Sequence, residues 1–289
     1  MRPKLAAVPP HGYFVLSAIF HYLGPAFAVL LFARVDVLGV AWLRIASAAA
    51  FFALWRRPWR GLRARLLIAW GAVLAVMNCC FYLAIDRLPL GTVAAIEFVP
   101  VLALAAAGLR TVRNSLALVL AAAGVFVLTD VRIAGEPLGF VFAFANAALF
   151  ALYIVLGHRV AQRGASGGID GLGASMLIAF LLVTPIAGWA VVPALTDPVA
   201  IAAGIGVGLC SSVIPYVTDQ LAMTRLPRAT YALLVSLLPA TATVIGVVVL
   251  SQLPSPVEAL GVGLVILGLA VHRERRADVP VTAPVTLSA

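Results

Sequence analysis

The residues most able to do chemistry in this chain lie in a stretch beginning at Asp86. A short polar turn, Asp86-Arg-Leu-Pro89, leads into about twenty apolar residues ending near Leu109, and that run encloses Glu97 and Pro100. A helix needs roughly 20 apolar residues to cross a bilayer. An acid held inside such a helix costs on the order of 3 kcal/mol on insertion scales, so Glu97 is expected to face protein or a cavity and to exchange protons or bind a cation there. Pro100 lacks the N–H that would close the local hydrogen bond and is expected to kink the helix beside the acid. Neighbouring groups or water must then satisfy the freed carbonyl.

Other polar residues fall inside apolar runs. Arg44, Asn78 and Glu97 each lie seven residues from the same predicted end of their runs, about 10 Å deep at 1.5 Å per residue, and are expected to form one layer. Arg44 has two readings: a pair with Glu97, or a holder for a substrate carboxylate. Ser211, Ser212, Tyr216 and Asp219 follow one another along a later run, in which Pro215 is expected to loosen the backbone. Tyr216 and Asp219 share a helix face, with Ser212 a turn before. They read as an inner gate with substrate contacts; the bland alternative makes Asp219 a solvated end residue facing Arg225 or Arg228. His21, just before Gly24-Pro25, suits a helix–helix hydrogen bond or a proton carrier. Asn146 and Tyr153 are candidate cavity linings.

Positioning these residues takes a membrane. Of the 289 residues, 63% are hydrophobic and only 11% charged, against roughly 45–50% and 25% in soluble domains. Apolar runs separated by short turns give ten expected spans, near 13–32, 37–54, 66–85, 90–109, 115–131, 137–157, 171–193, 198–222, 229–250 and 256–272. The basic residues test this count. With the N-terminus in the cytoplasm, sixteen fall inside: Arg2, Lys4, Arg56, Arg57, Arg60, Arg63, Arg65, Arg110, Arg113, Arg159, Arg163, Arg225, Arg228, Arg273, Arg275 and Arg276. Three, Arg34, Arg87 and Arg132, fall outside. This positive-inside bias puts both termini in the cytoplasm. The net charge of +9 is thus a topology signal, and no nucleic-acid partner is expected.

The chain also repeats. Tyr82-Leu-Ala-Ile-Asp-Arg-Leu-Pro89 matches Gln220-Leu-Ala-Met-Thr-Arg-Leu-Pro227 at five of eight positions, and each copy precedes a span carrying a proline, Pro100 or Pro239. Five helices per copy is an odd number, so the halves must cross in opposite directions. The expected fold is an all-α polytopic membrane protein of ten transmembrane helices in two inverted five-helix repeats, 13–135 and 136–273, with a disordered tail, 274–289. Such repeats place a small-molecule site between the halves near the midplane and suit alternating access. Gly204-Ile-Gly-Val-Gly208 reads as a close-packing stripe. Cys79, Cys80 and Cys210 lack metal-ligand spacing, and no metal or cofactor is expected.

Four segments carry a family resemblance: Met77-Asn-Cys-Cys-Phe-Tyr-Leu83; Leu88-Pro-Leu-Gly91 with Glu97-Phe98; Ala151-Leu-Tyr-Ile154; and Ser211-Ser-Val-Ile-Pro-Tyr216 through Asp219 to Thr224-Arg-Leu-Pro227. In these the chain resembles the EamA family of the drug/metabolite transporter superfamily, most of all its bacterial threonine/homoserine exporters. The resemblance runs from about residue 14 to 270. It implies ten helices in two repeats, a place in the bacterial inner membrane, and secondary-active export of small amino acids or related metabolites, commonly with protons as coupling ion. Export of drugs or other metabolites is the alternative within the superfamily. One departure is Ser251-Gln252, where such proteins often carry Gly-Glu.

An intramembrane enzyme is disfavoured. The chain has no Gly-x-Ser-x-Gly, no His-Glu-x-x-His and no paired membrane aspartates, and of its four histidines only His21 lies deep in a run. The P-loop pattern is also absent, so ATP hydrolysis is not expected.

Overall fold

A computed structural model describes residues 9–88, 93, 96–97, 100–101, 106, 111–129, 136–235, 237–238, 241 and 256–271. Helices account for nearly all of these residues, and no strand occurs among them. In chain order they are α1 (Pro10–Leu31), α2 (Val37–Trp55), α3 (Arg65–Ile85), α4 (Val112–Thr129), α5 (Pro137–Ala161), α6 (Ala165–Ala187), α7 (Pro198–Met223), α8 (Arg228–Val235) and α9 (Pro256–Val271). Among the described residues, five stretches are long and apolar enough to cross a bilayer: α2, α3, α5, Gly167–Thr196 and α7. The expected fifth span, 115–131, lies at Val112–Thr129, and the seventh, 171–193, starts earlier, at Ala165. Most of the fourth and ninth spans, Pro239, Ser251, Gln252 and the tail lie outside the described residues.

Local chemistry sets the helix limits. Asp36 caps α2 by accepting the Leu38 N–H, and Asp197 caps α7 by accepting those of Val199 and Ala200, with Pro198 at the first helical position. Gly164, at φ +88°, turns the chain between α5 and α6 in a conformation side chains disfavour. Within α6, Pro185 withholds an N–H, and beyond Ala187 the chain tightens into a 3₁₀ helix, Gly188–Thr196.

Packing follows an inside-out plan. Large apolar side chains such as Leu54, Phe126, Leu181 and Trp189 are exposed on the helix bundle, as helices facing lipid require. Ion pairs sit at the two rims. Arg34 binds Asp197 at 2.9 Å on one, and Arg56 binds Asp170 at 2.6 Å on the other. The Arg34 side chain, with the Ala200 and Val199 N–H groups, holds the Asp197 carboxyl below its ordinary range. Its stabilisation of the cap is therefore present above the ordinary carboxylate range and lost as pH falls.

The glycine stripe behaves as expected at its two ends. A Cβ at Gly204 would press on Leu43 of α2, and one at Gly208 would overlap Ser47 and lie 2.8 Å from the Arg44 carbonyl. Gly206 faces open space. This close approach brings α2 alongside the middle of α7, where the site lies.

Candidate functional site

The centre of the bundle is polar. Arg44, Asn78, Asn146, Ser211, Ser212, Asp219 and Gln220 are all buried, a set that membrane interiors hold only for function or for specific pairing.

Helix α7 breaks at this level. Leu209–Val213 forms a π turn, the Ile214 N–H reaching back to the Leu209 carbonyl, and Pro215 follows at once. Arg44 reaches the break from α2. Its Nε donates to Ser212 Oγ at 2.8 Å, and its Nη2 donates to the Ser211 carbonyl at 2.9 Å and to Tyr216 Oη at 3.1 Å. The guanidinium also stands 5.9 Å from the ring centres of both Tyr82 and Tyr216, within cation–π range. Of the two readings of Arg44, the pair with Glu97 is not what the structure shows: among the described residues Arg44 forms no ion pair.

Glu97 has a different partner. Val93, Ile96, Glu97, Pro100 and Val101 are helical and recur at the spacing of one helix face. Val93 and Ile96 pack with Ala84 and Leu88 and with Ala143 and Ala147 of α5. Glu97 Oε1 accepts from Asn146 Nδ2 at 3.2 Å, so the structure joins two candidates from separate halves of the sequence. Asn78 is buried but donates to the Leu74 carbonyl of its own helix at 2.8 Å. The layer of Arg44, Asn78 and Glu97 is thus three differently partnered groups, not one hydrogen-bonded set.

Asp219 corrects the bland reading. It is 1% exposed, which excludes a solvated helix end. Ser17 of α1 and Tyr231 of α8 are its hydrogen-bonding side chains, while its Oδ1 has no partner. Beside it, Tyr216 lies 5.2 Å from Tyr153 and 5.8 Å from His21, ring centre to ring centre. Tyr153 stacks on Trp70 and Phe150 at 5.7 and 6.0 Å, and its hydroxyl is buried without a partner. His21 Nδ1 lies 3.2 Å from Ser17 Oγ, so the histidine and the aspartate share a serine.

Sequence reasoning missed Ser17, Tyr231, Tyr82 and Trp70. Ser17 sits four residues before His21, one helical turn, a spacing that was available as a signal. Nothing in the sequence links Tyr231 or Trp70 to the centre.

A buried carboxylate and a half-buried one, neither in an ion pair among the described residues, an engaged arginine and clustered aromatic rings make up the polar interior of a helical membrane protein. That is the class the fold and site define. Residues 137–272 match the EamA-like transporter family. The threonine/homoserine exporter RhtA of Escherichia coli (strain K12) is 33% identical over 84% of this chain and 84% of its own length. RhtA of Salmonella typhimurium (strain LT2) is 31% identical over 87% and 88%. The chain belongs to the EamA-like transporter family and is a multi-pass membrane protein. A protein of known crystal structure shares the fold, with a TM-score of 0.67 at 20% identity over 90% of this chain and 95% of its own.

Proposed function

We propose that this protein is a secondary-active exporter of small amino acids of the threonine and homoserine kind in the bacterial inner membrane. It is driven by protons and works by alternating access, with ten helices in two inverted repeats and both termini cytoplasmic. The observation that carries this reading is the joint one: similarity to RhtA over 84% of the chain, with a buried carboxylate, Asp219, and a half-buried one, Glu97, neither of which forms an ion pair among the described residues.

The two acids suit different tasks. Among the described residues the hydrogen-bond donor to Glu97 is an uncharged amide, and a carboxylate so placed exchanges a proton without breaking an ion pair. Asp219 keeps one buried oxygen without a hydrogen-bond partner, near the Tyr153–Tyr216 pair. A carboxylate framed by aromatic faces suits an ammonium group. In this account Asp219 meets the substrate's ammonium and Glu97 carries the coupled proton.

Cells lacking their own threonine and homoserine exporters test the reading. Expression of this protein is expected to raise the concentration of homoserine that halts growth and to lower intracellular threonine. Unchanged tolerance with the protein present in the membrane contradicts the substrate assignment.

A further inference from the structure

We infer that Arg44 is a positioning residue: from α2 it supplies the hydrogen bond that Pro215 removes from α7. Pro215 has no N–H, so where the π turn returns to α-helix the Ser211 carbonyl, four residues earlier, has no α-helical donor at that position. An unpaired carbonyl at membrane depth is costly. Arg44 Nη2 donates to that carbonyl at 2.9 Å. Its further bonds to Ser212 on the turn and Tyr216 beyond it span the break on both sides.

The surroundings leave the turn little room to relax by itself. A Cβ at Gly24 of α1 would overlap the Ser211 side chain, and one at Gly208 would overlap Ser47 and press on the Arg44 carbonyl. The break is clamped between two backbones and pinned by one guanidinium. Three bonds to α7 already occupy Nε and Nη2, a guanidinium edge that otherwise grips a carboxylate with two parallel bonds. Two tyrosine rings at 5.9 Å face its charge. These engagements argue against Arg44 as the holder of a substrate carboxylate. Its work is to fix where Ser212 and Tyr216 stand.

The test is a cycle of Arg44→Ala, Pro215→Ala and the double variant. Alanine at 215 restores the N–H, so the Ser211 carbonyl regains a donor within α7. The Ser212 and Tyr216 hydroxyls can turn to other acceptors, whereas the carbonyl has no such freedom. Arg44→Ala alone is expected to lose thermal stability in detergent and to cut threonine flux by about tenfold or more, the scale of one lost charge-assisted bond. The double variant is expected to recover most of both, with KM for threonine close to that of the native protein.

A double variant no better than Arg44→Ala overturns the inference, as does native stability and flux in Arg44→Ala. So does an Arg44→Ala protein that is stable, shows a raised KM for threonine, and carries threoninol, which lacks the carboxylate, at the native rate. The flux arm rests on the exporter reading and the stability arm does not. If the native protein moves neither threonine nor homoserine, the exporter reading fails while the stability cycle still decides the role of Arg44.

Discussion

Replacing Glu97 by Gln is expected to abolish proton-driven accumulation of substrate while sparing exchange of substrate for substrate. The amide keeps the size of the acid and can still bond Asn146, which the structure places 3.2 Å away. It cannot take up or release a proton. Glu97 lies on the face that packs against α3 and α5, and an acid among apolar helices is costly to keep unless its charge is used. Liposomes loaded with labelled threonine measure both processes. Gradient-driven flux should fall by about tenfold or more, the scale of one charge-dependent interaction, with exchange near the native rate. Equal loss of both would place Glu97 in substrate binding. Native behaviour in both, with unchanged pH dependence, would remove it from the mechanism.

Asp219→Asn is expected to act on the other side of the cycle. Here both exchange and driven flux should fall, through a raised KM. A charge-assisted hydrogen bond is worth about 1.5–3 kcal/mol, so the loss in affinity should be about ten- to a hundredfold. Asparagine keeps the shape and an acceptor for Ser17 and Tyr231, which limits structural damage. Selectivity gives the specific readout. The native protein should prefer threonine to its deaminated analogue 2,3-dihydroxybutyrate, and Asp219→Asn should lose much of that preference. An unchanged preference would deny Asp219 the ammonium.

The helices were legible because apolar runs and turn residues have few alternatives in a membrane. Asp36, Pro137, Gly164 and Asp197 stand where helices begin or the chain turns. Pro215 announced a weak point in α7, and Gly204 and Gly208 announced its close neighbour. The identity of the donor that answers Pro215 was not legible, because Arg44 and Ser211 are 167 residues apart. Pairing the nearest opposite charges favoured Glu97. The structure favours a free carbonyl and two hydroxyls, since the clamped turn presents its unmet acceptors directly to α2. The solvated-end alternative for Asp219 fails for a related reason. The aspartate stands six residues before Arg225, in a stretch that reads as a helix end, and only the arrival of Ser17 and Tyr231 from α1 and α8 buries it. The 3₁₀ tightening after Pro185 was likewise unread, because a proline marks a weak point in a helix without saying which geometry follows it.

The most direct test of the central claim is purified protein in liposomes, with threonine and homoserine flux measured with and without an imposed proton gradient. The account predicts flux of both amino acids, accelerated when protons run counter to the substrate, and loss of that acceleration in Glu97→Gln. Flux indifferent to the gradient would contradict proton coupling. No flux of either amino acid, from protein that is folded and inserted, would contradict the exporter assignment itself.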